Sequence, residues 1–164
     1  MLIMSRNMPT PSQLRLTIAQ TNSSNRHSEN VAALGDIVEI AVNDGSQMLA
    51  LPEAFGLMER DHENALSQVV TEDQDPFILA CQDHAAKHGL WIQAGSTPIL
   101  GTQKKFLNHA TMINPSGEII ASYDKLHLFD VFLIGKLPTG ESERYDAGNE
   151  AVVVKTPFGR MGLS

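Results

Sequence analysis

The sequence predicts an α/β protein, a mixed sheet covered by helices, and three observations carry that reading. Short apolar runs without alternation stand at 48–51 and 90–95, an apolar period near 3.6 runs through 31–41, and two strand-like segments at 106–113 and 118–123 flank a turn rich in Pro and Gly. Runs buried on both sides and separated by helices belong in a covered sheet, and the turn-linked pair adds antiparallel strands to it.

Leu14, Leu16 and Ile18 alternate with Arg15 and Thr17, the period of a first strand with one buried face. Thr21-Asn22-Ser23-Ser24 supplies candidate helix caps. Val31, Leu34, Val38 and Ala41, with Ile37 beside them, then mark one amphipathic helix that Asn43-Asp44-Gly45 ends. Met48-Leu49-Ala50-Leu51 reads as a buried strand closed by Pro52, and Glu53 comes next. Asp61 to Val70 is a candidate helix. Pro76 to His88 is another, with Pro76 suited to its first turn and Gly89 to its C-terminal cap. Leu90 to Gly95 is the next buried strand. Phe106 to Ile113 and Glu118 to Tyr123 form a hairpin through Asn114-Pro115-Ser116-Gly117, whose Pro and Gly fit the central positions of a type II turn. Asp124 to Asn149 is expected to be mostly loop, and a stretch that long inside a compact domain is usually functional. Ala151 to Lys155 is a strand, Thr156-Pro157-Phe158-Gly159 turns the chain, and Met161-Gly162-Leu163-Ser164 opens a further strand. Residues 1–13 read as a flexible leader and 14–164 as one domain.

The bulk numbers narrow the function. A chain of 164 residues with 42% hydrophobic and 19% charged residues has the makings of one globular core. Twelve Lys and Arg against nineteen Asp and Glu give a net charge of −7, which repels a polyanion, and the one basic pair, Lys104-Lys105, is no arginine-rich arm; nucleic acid is not an expected partner. Met1-Leu2-Ile3-Met4 is too short an apolar run for a signal core or a membrane span. The single cysteine, Cys81, has no internal partner for a disulfide, so a cytoplasmic location is expected.

Glu53 stands at the carboxyl end of a predicted strand, where ligands bind in open α/β sheets. A carboxylate partly desolvated there is expected to have its pKa raised toward neutrality and to shuttle protons. Lys125 sits between Tyr123-Asp124 and Leu126-His127-Leu128-Phe129, more apolar than an ordinary loop, and a lysine held inward stabilises an oxyanion or a thiolate. Taken alone, a solvated glutamate and an exposed lysine are the commoner outcomes.

Together the segments say more. Leu51-Pro52-Glu53, the run from Tyr123 to Val131 around Lys125, Gly140-Glu141-Ser142 and Gly159-Arg160-Met161-Gly162-Leu163-Ser164 stand in the order and spacing of the nitrilase superfamily of carbon–nitrogen hydrolases. They most resemble its Nit-type branch, which includes omega-amidase and the amidase acting on deaminated glutathione, and Gly89 to Ser96 resembles the family's strand into a Gly-Ser turn. The resemblance runs from about Leu14 to Ser164. It implies part of a four-layer α-β-β-α sandwich, truncated before the strand and turn that carry the nucleophile. It also implies a catalytic glutamate at Glu53, a catalytic lysine at Lys125 and a second glutamate, Glu141, orienting the lysine and the substrate amide.

In that family a cysteine attacks a small linear amide, ammonia leaves, and water hydrolyses the thioester, with no metal or organic cofactor. A homodimer or higher homo-oligomer is implied as well. The nucleophile is expected beyond Ser164, leaving this chain alone inactive. Cys81, inside a predicted helix, reads as a small buried hydrophobe. His127 is expected to make structural hydrogen bonds near the lysine. Cys81, His84 and His88 share a helix face, but no fourth zinc ligand is evident. A non-catalytic binding or assembly module of the same fold is the alternative from another class.

Overall fold

The computed structural model describes residues 13–131 and 139–164, so the leader expected over 1–13 lies outside the described residues except for its last member. Strand β1 (Leu16–Ile18) leads to helix α1 (His27–Asn43) and strand β2 (Met48–Ala50). Helices α2 (His62–Leu66) and α3 (Pro76–His88) precede β3 (Trp91–Gln93), β4 (Thr97–Leu100), β5 (Phe106–Ile113) and β6 (Ile119–Asp124). The remainder is a set of short pieces, β7 (Asp130–Val131), β8 (Thr139–Gly140) and β9 (Tyr145–Asp146), and then the hairpin β10 (Val152–Thr156) and β11 (Gly159–Leu163).

Strands β1, β2 and β3 run parallel, whereas β5 runs antiparallel to β3, β4 and β6, so the sheet is mixed. Side chains alternate across it. On one face Leu49, Leu51, Ile92, Ala94 and Ile113 pack with Leu34, Val38 and Ala41 of α1 and Phe77, Ile78, Cys81 and Ala85 of α3. On the other, Met48, Ala110, Met112 and Tyr123 pack against Val154 and Leu163 of the β10–β11 hairpin. Helices, sheet and hairpin are thus three successive layers among the described residues.

Helix α3 begins and ends where its sequence predicts. Buried Asp75 accepts hydrogen bonds from the Phe77 and Ile78 amides at 3.0 and 2.9 Å, and Gly89 closes the helix in the left-handed region at φ 64°. Helix α1 starts later than its candidate caps: its N-cap position is Arg26, without a side-chain capping bond. Ser24 is used differently, its backbone N–H donating to Asn30 Oδ1 at 2.8 Å. A second expectation is corrected at β1, where Leu16 and Ile18 are exposed, because β1 is the edge strand and the hairpin covers the sheet farther along. The turn at Asn114–Gly117 differs too. The Gly117 N–H donates to Asn114 O, so Pro115 and Ser116 are the central residues, and the positive φ of 81° falls one place later on Gly117. That is not type II geometry.

Strand β4 is absent from the sequence reading because Pro98 lies inside it and masks the pattern. It runs on from β3 along the same edge of β5: Gln93 pairs with Met112, and Thr97 with His109. Between these pairs three residues, 94–96, stand opposite two of β5, 110 and 111, so the strand bulges after the Ala94 N–H donates to Thr111 O at 2.9 Å, and a bulge of this kind re-aims whatever packs on it. At its apex Gly95 adopts φ 61°, and a Cβ there would lie 2.0 Å from the Pro52 carbonyl oxygen. Gly95→Ala is therefore expected to lower stability by at least about 3 kcal/mol. Gly35→Ala, in mid-helix with open space at its Cβ, should raise it by up to about 1 kcal/mol. Urea denaturation of the two variants checks both signs.

Candidate active site

The bulge between β3 and β4 is the seat of the loop after β2. Ser96 Oγ accepts the Ala54 N–H at 2.8 Å, Ser96 O accepts the Gly56 N–H at 3.1 Å, and the Ser96 N–H reaches Pro52 O at 3.4 Å. Ala54 takes a positive φ of 55°, so the chain reverses sharply just past Glu53. Glu53 is thereby presented at the end of the sheet toward β5.

Lys125 arrives from the other side of β5. It comes directly after the last residue of β6, and its N–H donates to Asn108 O at 3.0 Å, continuing the ladder by one step. Its own carbonyl accepts the Gly148 N–H at 2.9 Å. Glu141 opens a 3₁₀ turn, Glu141–Glu143, and is bound to Phe129 twice, backbone N–H to Phe129 O at 3.1 Å and Oε2 from the Phe129 N–H at 2.9 Å. The loop expected from Asp124 to Asn149 thus contains a short antiparallel pair, β7 with β8, that holds this turn; residues 132–138 of it lie outside the described residues.

The three side chains predicted from sequence converge. Lys125 Nζ donates to Glu53 Oε1 at 2.8 Å and lies 3.1 and 2.9 Å from the two carboxylate oxygens of Glu141. Asn108 Nδ2 donates to the same Glu53 oxygen at 2.8 Å. Sequence reasoning missed Asn108; the available signal was an amide in a strand between Leu107 and Ala110. It also missed Tyr123, whose hydroxyl accepts the Leu126 N–H at 3.1 Å and so fixes the residue after the lysine.

The electrostatics correct one expectation. The Lys125 ammonium holds the Glu53 carboxyl below its usual range; burial works the other way, and Asn108 adds to the lowering. Glu53 is not desolvated enough to titrate near neutrality, since 59% of its side chain is exposed against 23% for Lys125. For Lys125 burial disfavours the charge, but hydrogen bonds to Glu53 and Glu141 outweigh it and raise the pKa above the ordinary lysine value. Both shifts favour the charged forms, an ammonium on Lys125 and a carboxylate on Glu53.

A cavity of about 330 Å³ opens beside this cluster, lined by Glu53, Asn108, Tyr123 and Lys125 and by Gly162, Leu163 and Ser164 at the end of β11. It can hold a small molecule with a polar group against Lys125 and Glu53. Cys81 is elsewhere. It is fully buried in α3 against the helix-side core, and burial pushes its thiol well above the usual value. His127 is exposed and makes no hydrogen bond among the described residues, contrary to the structural bonds expected of it. His84 and His88 stack on one another at 5.9 Å, and no three His, Cys, Asp or Glu side chains among the described residues are grouped to hold a metal. No helix among them is long and apolar enough to cross a membrane.

A mixed sheet with helices on one face and a Glu–Lys–Glu cluster at its end defines a class, and the comparisons agree on which. The carbon–nitrogen hydrolase family model matches residues 15–164, and the chain belongs to that family. It is similar to the probable hydrolase nit2 of Schizosaccharomyces pombe, 30% identical over 148 residues that cover 88% of this chain and 53% of the relative. It is also similar to the deaminated glutathione amidase of Rattus norvegicus, 30% identical over 156 residues, 91% of this chain and 47% of that protein. Among solved structures, the Caenorhabditis elegans NitFhit protein matches with a TM-score of 0.80 at 29% identity, covering 92% of this chain and 37% of that one. The chain spans about half the length of the curated relatives it matches.

The depressed Glu53 pKa fixes a sign. The group contributes stability above the unfolded carboxylate pKa, and that contribution is lost as pH falls through the folded value. Lys125→Met removes the largest cause and should raise the Glu53 pKa, while Asn108→Leu should raise it less. Carboxyl-carbon NMR titration of Glu53 reads both.

Proposed function

We propose that this chain supplies the base and the cation of a thiol-dependent amidase that hydrolyses small linear amides. The observation that carries the reading is the Lys125 ammonium, within 3.1 Å of both Glu53 and Glu141 at the wall of a small-molecule cavity. Glu53, ionised and on the rim, accepts the proton of an incoming thiol. The thiolate sulfur bonds to the amide carbonyl carbon, and Lys125 balances the oxyanion that forms. The C–N bond then breaks, Glu53 returns its proton to the leaving nitrogen as ammonia departs, and a thioester remains. Glu53 next takes a proton from water, whose oxygen bonds to the thioester carbon; the C–S bond then breaks, Glu53 returns the proton to the sulfur, and the acid and the thiol are released. Glu141 keeps Lys125 charged and aimed throughout. The chemistry requires no metal or organic cofactor.

The thiol in this proposal is not Cys81, which is buried in α3 away from the cavity. In this reading the thiol approaches the amide from the β11 side, where Gly162, Leu163 and Ser164 line the cavity. The omega-amides handled by the Nit-type branch are the first substrates to try. Self-association into a homodimer or higher homo-oligomer and a cytoplasmic location belong to the same proposal.

Ammonia release from a panel of small amides tests it, on a longer protein in which this chain continues past Ser164. Glu53→Gln and Lys125→Met are each expected to lower kcat by about 10²-fold or more. Residues 1–164 alone are expected to release none. Undiminished turnover in both variants would sink the roles given to Glu53 and Lys125, and a longer protein that releases no ammonia from any amide would leave the non-catalytic module as the surviving account.

A further inference from the structure

A second charged cluster lies on the opposite face of β5, directly behind the Glu53–Lys125 pair. His109 is only 6% exposed, and both ring nitrogens are occupied: Nδ1 is 2.7 Å from Asp124 Oδ1 and Nε2 is 2.7 Å from Glu72 Oε2. Ser122 Oγ donates to the same Glu72 oxygen at 2.6 Å. An ionised carboxylate can only accept, so a short contact at each ring nitrogen suits an N–H on both, which the ring has only as an imidazolium. Burial disfavours that charge, yet the hydrogen bonds to Asp124 and Glu72 outweigh it and keep the His109 pKa above its ordinary value.

The position of this cluster matters more than its strength. His109 pairs with Asp124 in the β5–β6 ladder, and Asp124 is the residue before Lys125. On the other edge of β5 it pairs with Thr97 of β4, the strand that continues from the bulge under the Glu53 loop. Glu72 lies in the 3₁₀ turn Glu72–Gln74 that leads to the Asp75 cap of α3. The last residues of a strand fray unless something ties them down, and Asp124 is tied through the histidine to the helix layer. Neighbouring residues of one strand therefore serve the two members of the site from opposite faces, Asn108 holding Glu53 and His109 holding the residue that carries Lys125 forward. A buried ion cluster is weak evidence of net stabilisation, since an apolar replacement of similar size is often as stable. Specificity of placement is the better account of it here.

We propose that His109 is a positioning residue for Lys125: bridging Asp124 and Glu72, it locks the end of β6 in register and so fixes where the ammonium stands relative to Glu53. The inference concerns geometry and rests on the amidase reading only where turnover is measured.

The test compares His109→Leu and His109→Gln with the unaltered chain by amide hydrogen exchange and Glu53 titration. His109→Leu is expected to speed exchange of the Lys125 N–H at least tenfold, to raise the Glu53 pKa toward the ordinary glutamate value, and to leave the Leu49 and Ile92 amides protected. His109→Gln, which can still donate to one carboxylate, should restore part of the protection. In the longer protein, if it releases ammonia, His109→Leu should lower kcat about tenfold with KM within twofold. Should His109→Leu not fold, Asp124→Asn removes a single charge and carries the same comparison. Unchanged exchange at Lys125 and unchanged titration of Glu53 would overturn the proposal, and so would acceleration spread evenly over the sheet. Absence of ammonia release from the unaltered longer protein would count against the amidase reading alone, because exchange and titration decide the role of His109 without it.

Discussion

One lysine ammonium held between two carboxylates organises this end of the molecule. Lys125 touches Glu53 and Glu141, and each partner comes from a different stretch of chain. Opposite charges at these distances attract even with solvent nearby, but the attraction is too weak to bring three loops together unaided. The loops are therefore set by backbone bonds first, to Ser96 for the Glu53 loop, to Asn108 for Lys125 and to Phe129 for Glu141. The ion pairs then form between groups already in place. With that order of causes the lysine stays protonated, Glu53 stays ionised, and the cavity beside them keeps a polar wall of fixed charge.

Strand β5 is the part of the fold on which this arrangement rests. It is paired on both edges, with β3 and β4 on one side and β6 and β9 on the other, and its two faces serve different layers. Asn108 points to the cavity with Ala110, and His109 to the cluster with Glu72. A single strand thus sets the separation of Glu53 and Lys125, which stand seventy-two residues apart in sequence. The bulge at 94–96 contributes the remaining condition, because it lets the loop after β2 fold against the sheet rather than away from it.

The features legible in sequence were those with a local cause. Helix α3 was readable at both ends because a proline in its first turn and a glycine at its cap act through their own backbone preferences. The buried strands β2 and β3 were readable because apolar residues stand on both faces of each, Met48 and Leu49 in one and Trp91 and Ile92 in the other. Glu53, Lys125 and Glu141 stood out only through the family register of their segments, since each alone resembles a surface residue. Misreadings arose where a neighbour distant in sequence decided the outcome. Leu16 and Ile18 alternate as a core face should, yet they lie on an edge strand beyond the reach of the covering hairpin. Burial of Glu53 was expected to raise its pKa, and the lysine that lowers it lies on another strand.

Local propensity and apolar period, both properties of adjacent residues, determined from sequence alone the order of the longer elements apart from β4, the mixed sheet and the helices α1 and α3 that cover it. What only the tertiary structure decided was which polar groups meet: Asn108 with Glu53, His109 with Glu72 and Asp124, and Lys125 with its two carboxylates. The reason is physical. A hydrogen bond or an ion pair depends on distances of about 3 Å between groups far apart along the chain, and those distances are set by strand register and by one bulge, neither of which leaves a period in the sequence.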